Sequence, residues 1–152
     1  GNEEVWIDTS TYLRRQAVAK TGGAAGEKPA KAEKMTRSMP AASSIWVVPS
    51  DIGRRYGAVS GDRNPIHLYA ATAKLLGFPQ AIAHGMWSKA ACLAALDGRL
   101  PNAYRVDVQF KLPVLLPAKV AFSSEATANG YNFSVNDARK GKPHLAGTVT
   151  AL

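Results

Sequence analysis

Hydrophobic positions change their spacing several times along the 152 residues, and the changes divide the chain. At the start, EEVWIDTSTYLRR crowds Val5, Trp6, Ile7, Thr9, Thr11 and Tyr12 together, a β-forming run that predicts a strand over residues 1–15. Residues 16–44 mix Ala, Gly, Lys, Glu and Pro with no sustained apolar period, the composition of a flexible linker. A lone strand cannot bury itself, so the first segment either completes a sheet with the rest of the chain or belongs to a preceding domain. The chain begins at Gly rather than Met, in keeping with a piece of a longer protein.

From residue 45 the pattern becomes that of a folded domain. IWVVPSDIGRRY predicts a short apolar strand, a break at Pro49 and a turn of helix capped by Ser50 or Asp51. Over Ala81–Leu96, Ile82, Met86, Ala90, Leu93 and Leu96 recur at helical spacing with small or apolar residues between them, which predicts a helix buried nearly all round. At Tyr104 the period drops to two: Val106, Val108 and Phe110 face one way, Arg105, Asp107, Gln109 and Lys111 the other. Three later segments also alternate in part, with Asn129-Gly130 and Lys140-Gly141 at the turns, so the C-terminal half reads as an antiparallel meander. A sheet wrapped around one apolar helix, an α+β class, gives that helix somewhere to go.

Composition narrows the function. No apolar run approaches the roughly 20 residues of a membrane-spanning helix, and GNEEVWIDTS lacks the basic-then-apolar order of a secretory signal, so a soluble, cytoplasmic protein is expected. The single cysteine, Cys92, sits in the apolar stretch AACLAAL and reads as a small buried residue. A formal charge of +8 favours acidic partners, among them nucleic acid, acyl carrier protein and the phosphates of coenzyme A. Nucleic acid is disfavoured, because Lys and Arg are scattered and no zinc finger, basic zipper or aromatic RNA-binding motif is present.

Two segments carry candidate chemistry. In YGAVSGDRNPIH, Tyr56 to His67, Pro65 suits the first position of a helix and Asn64 its N-cap, which puts His67 in the first turn. Asp62 stays in a loop tightened by Gly61, so carboxylate and imidazole can converge on one water as a general acid/base pair. The competing reading is an ordinary capped helix start, with Asp62 bonded to backbone amides. In GFPQAIAHGM, Gly85 at the helix start offers an N–H with no partner inside the helix, suited to a developing oxyanion. Tight packing against a strand would equally account for a glycine there.

Taken together, Tyr56, Val59, Ser60, Gly61, Asp62, Asn64, Pro65, Ile66, His67 and Ala73 match every position of the hydratase 2 signature, and Ala83 to Met86 follows as AHGM. From about Trp46 to the end the chain resembles the MaoC-like hydratases. The resemblance implies a hot-dog fold and reversible addition of water to trans-2-enoyl thioesters, giving (R)-3-hydroxyacyl thioesters on coenzyme A or acyl carrier protein. It implies Asp62 and His67 as the catalytic pair, Gly85 N–H as the oxyanion donor and Asn64 as a support for the loop, with no metal or other cofactor. His84 is given a structural role, and His144, in a strand near the C-terminus, is read as surface or core. It further implies a second hot-dog domain as partner, either another copy or a preceding domain of which residues 1–15 are the final strand. Two rivals remain: a hot-dog thioesterase, disfavoured by the GDxNPxH pattern, and a non-catalytic acyl-binding partner domain, disfavoured by the intact Asp62/His67 pair.

Overall fold

The computed structural model describes residues 5–11 and 42–152. Residues 5–11 hold no strand or helix, and Val5, Trp6 and Ile7 are exposed. The β-forming residues are there, but a strand is made by its pairing and not by composition alone. The expected linker over 16–44 lies outside the described residues except for its last three positions, and β1 already begins at Ser44.

From there the order is β1 (Ser44–Val48), α1 (Ile52–Ser60), α2 (Pro65–Leu68), α3 (Ala70–Leu75), α4 (Gly85–Ala95), β2 (Tyr104–Phe110), β3 (Ala118–Thr127), β4 (Gly130–Asp137) and β5 (Pro143–Ala151). All pairings are antiparallel and the sheet order is β1-β3-β4-β5-β2. β3, β4 and β5 form the expected meander. β2 lies at the far edge against β5, so residues 111–117 must cross to reach β3. That crossing segment packs inward at Val114 and Leu116 and hydrogen-bonds residues 81–83 (Ala83 N–H to Val114 O, 2.9 Å; Leu116 N–H to Ala81 O, 2.8 Å).

The core joins Phe122, Val135 and Leu145, which lie in register across three strands, to Cys92 and Leu96 from the α4 side. Phe133 lies over Gly147 of β5, where an added Cβ would sit 2.5 Å from its ring. Burying each such Phe, Leu or Val contributes about 1.5–3 kcal/mol. The α+β arrangement of sheet and helix is as the sequence implies, with two corrections. Residues 81–84 are not helical: Ala81 O and Ala83 N–H pair with the crossing segment, Ile82 forms an isolated bridge with Leu115, and Ile82 N–H bonds Ile66 O of α2. Nor is α4 buried all round: Ser88, Cys92 and Leu96 form one inner stripe, while Met86, Ala90 and Ala94 are exposed. The sheet covers one side of the helix, and small residues on the other side tolerate solvent. Among the described residues no helix is long and apolar enough to cross a membrane.

Candidate active site

The motif segment folds as its residues dictate. Gly61 ends α1 in the left-handed conformation (φ 78°), which turns the chain before Asp62. Asn64 caps α2, its Oδ1 accepting from Ile66 N–H at 3.3 Å, and Pro65 takes the first helical position. Asp62 Oδ1 accepts from Asn64 N–H at 3.1 Å, while Asp62 N–H donates to Ser60 Oγ at 3.2 Å. Thus the capped helix and the local Asp62 bonds both form, and they leave Asp62 Oδ2 outside those local bonds.

His67 is buried in the first turn of α2, and its Nδ1 lies 2.8 Å from Ile82 O. A carbonyl can only accept, so Nδ1 carries the proton and Nε2 holds the lone pair. Burial pushes this imidazole below its usual value of 6.5; the Ile82 carbonyl opposes the shift, His84 adds to it and the Asp62 carboxylate opposes it. At neutral pH the ring is therefore a neutral base. His67 and Gly85 line one cleft of about 330 Å³, walled by Phe78, Ile82, Phe110 and Val114 and rimmed by Lys111 and His144. Gly85 opens α4, and no acceptor among the described residues takes its N–H. A side chain there would meet the Phe110 ring at 3.1 Å, so glycine keeps the helix start open to the cleft.

Of the residues singled out from the sequence, Asp62 and His67 converge, Gly85 shares the His67 cleft, and Asn64 holds the loop from outside it. Three further features shape the site: His84 and His144, expected to have no catalytic part, and a pair of glycines not singled out from the sequence. His84 is 3% exposed and stacks on His67 with ring centroids 3.7 Å apart. Its Nε2 lies 3.0 Å from Asp62 O and 3.7 Å from Asp62 Oδ2. The glycines Gly53 and Gly57 let α1 lie directly on the motif: an added Cβ would sit 1.8 Å from His67 O at the first and 2.8 Å from Asp62 O at the second. Their spacing of four was visible as a helix face, but nothing in the sequence said what would press on it. His144 lies at the cleft rim, its Nδ1 3.0 Å from Leu112 O.

Asp62, His67 and His84 offer three candidate metal-ligand atoms within 4.8 Å of one another. Tetrahedral zinc with nitrogen ligands needs donors about 3.3 Å apart and aimed at one point. His84 Nε2, the ring nitrogen beside Asp62 Oδ2, already donates to Asp62 O and so offers no lone pair at that point. A second hollow of about 200 Å³, lined by Arg54, Arg63 and Tyr69, shares no residue with the cleft at His67.

Fold and site together define a hot-dog domain that carries a paired carboxylate and neutral imidazole beside an unpaired helix N–H. The chain belongs to the MaoC like domain family, whose profile matches residues 20–147. It is 40% identical over all 152 residues to 3-hydroxyacyl-thioester dehydratase X of Mycobacterium tuberculosis and covers 52% of that protein. The crystal structure of HtdX of Mycobacterium tuberculosis matches with a TM-score of 0.70 at 42% identity, over 74% of this chain and 48% of that one. The R-hydratase PhaJ1 from Pseudomonas aeruginosa matches with a TM-score of 0.56 at 31% identity, over 71% of this chain and 77% of that one. The chain thus spans about half the length of the curated relative it matches.

Proposed function

We propose that this chain catalyses reversible addition of water to trans-2-enoyl thioesters, giving (R)-3-hydroxyacyl thioesters in fatty acid metabolism, with no metal or other cofactor. The observation that carries the proposal is His67 Nε2, left as a free lone pair by the Nδ1 bond to Ile82 O, in the cleft that Gly85 also lines. In the forward direction the Asp62/His67 pair takes a proton from water as its oxygen bonds to the β carbon. Electrons of the C=C bond move toward the thioester carbonyl, where Gly85 N–H stabilises the enolate oxygen. The pair then returns a proton to the α carbon, so water is added with no net change in the enzyme. Asn64 keeps Asp62 in reach through its N-cap and its own N–H. The acyl group is carried on coenzyme A or acyl carrier protein, and Arg54 and Arg63 give the surface beside the motif a charge suited to carrier phosphates.

A second hot-dog domain, another copy or a preceding domain, completes the site in this reading. Asp62 is 53% exposed, and Tyr69, Met86 and Phe110 present apolar surface. That is more than an acid/base site leaves to water by itself. The test mixes the protein with crotonyl-CoA and follows loss of enoyl absorbance, free thiol and the configuration of the 3-hydroxy product. Free thiol without enoyl loss would establish a thioesterase, and an (S) product would overturn the stereochemical part. Light scattering on the same sample reads the mass, and an active monomer would overturn the two-domain requirement.

A further inference from the structure

We propose that His84 is a positioning residue that keys Asp62 to His67 and Gly85. The inference rests on the hydration reading for its kinetic arm only. Asp62 is restrained inside its own loop by Ser60 and Asn64, and neither bond ties that loop to the rest of the site. Asn64 O accepts from His67 N–H within the turn at 3.0 Å, and the hydrogen bond that ties Asp62 itself to the start of α4 is His84 Nε2–H to Asp62 O, 3.0 Å. Two residues earlier, Ile82 O fixes the tautomer of His67, and one residue later Gly85 N–H opens α4. Three functional groups are therefore registered to one four-residue strip, Ile82 to Gly85. The strip is itself pinned by Ile82 N–H to Ile66 O at 3.1 Å and Ala83 N–H to Val114 O at 2.9 Å.

The burial of His84 argues that its donor has a purpose. With Nε2 donating to a carbonyl, Nδ1 must be the acceptor, and that atom is buried with no hydrogen-bond partner. An apolar ring would fill the same space without an orphaned nitrogen, so packing alone does not explain an imidazole. The stack on His67 at 3.7 Å adds a second restraint, holding that ring from its face while Ile82 holds it from its edge.

Three variants separate the contributions. His84→Phe keeps a flat ring on His67 and loses the donor; kcat falls on the order of 10²-fold with KM changed by less than about twofold, because a misplaced carboxylate costs rate and not binding. His84→Gln places an amide N–H near the former Nε2 and recovers at least about a tenth of the parental kcat, while His84→Leu loses both restraints and recovers nothing. Full kcat in His84→Phe, or no recovery in His84→Gln, overturns the proposal. Long-range 1H–15N spectra of the full chain give a readout independent of the reaction. They show the Nε2–H tautomer for His84, and shifts at Asp62 and Arg63 amides in His84→Phe that His84→Gln reverses. If the parent protein hydrates no enoyl thioester, the functional reading fails and these spectra still decide the positioning; an Nδ1–H tautomer overturns it.

Discussion

Replacing Gly53 by alanine tests how the site is held. A methyl group there would sit 1.8 Å from the carbonyl oxygen of His67, and no real carbon–oxygen contact is shorter than about 3 Å. Either α1 or the His67 backbone must therefore move by about 1.2 Å, since the obstacle is main chain and has no rotamer to escape into. Propensity alone favours the change, because alanine is better than glycine in a helix by about 1 kcal/mol. The clash reverses that sign: overpacking of a tight contact costs about 1–3 kcal/mol, or about 2–12 °C in Tm for a chain of this size. If His67 takes up the displacement, its 2.8 Å bond to Ile82 O stretches beyond hydrogen-bonding range, and kcat falls on the order of 10²-fold. Thermal melting and crotonyl-CoA turnover on the same preparation provide the readout. Gly57→Ala, whose methyl would meet Asp62 O at 2.8 Å, needs an adjustment of only a few tenths of an ångström and is the milder variant. A Gly53→Ala protein with parental Tm and kcat, or one less affected than Gly57→Ala, would refute the account of α1 resting on the motif.

The other expectations are direct. Asp62→Asn and His67→Gln each abolish hydration; the first leaves the Tm within a few degrees, about 1 kcal/mol, because the exposed carboxylate does not support the core, while the second also gives up the buried Nδ1 bond to Ile82 O and costs about 1–3 kcal/mol, and full activity in either overturns the pairing. Because burial lowers the His67 pKa, the folded protein resists protonation that the unfolded chain accepts. Its contribution to stability is complete above 6.5 and is lost as the pH falls through the lowered value, and the acid limb of kcat/KM lies below 6.5 as well. A limb at or above that value contradicts the buried, neutral imidazole. The Cys92 thiol, pushed up to about 12 by burial, reacts with a thiol reagent only at the rate of unfolding; rapid labelling of the native protein would contradict its place in the core. Turnover after exhaustive chelation equals that of the untreated protein, and loss restored by a divalent ion would reassign the Asp62, His67 and His84 cluster.

What the sequence determined by itself was local. Asn64-Pro65 marks a helix start, Gly61 a tight loop, and alternation at Tyr104 a half-buried strand; each follows from backbone preferences over a few residues, and each formed. The motif also named Asp62, His67 and Gly85, though for the pair its local physics supported a capped helix as readily as a site. Only the tertiary structure decided the rest, because it depends on contacts between residues far apart in the chain. The order that sends β2 to the far edge obliges residues 111–117 to cross, and that crossing takes Ala81 O and Ala83 N–H while Ile66 O takes Ile82 N–H. Those residues therefore leave the helix that their periodicity predicted, and the freed Ile82 carbonyl and His84 ring become the holders of His67 and Asp62. Hydrophobic spacing records which face of an element is apolar; which backbone atoms are left to bond across the fold is settled by the path of the chain.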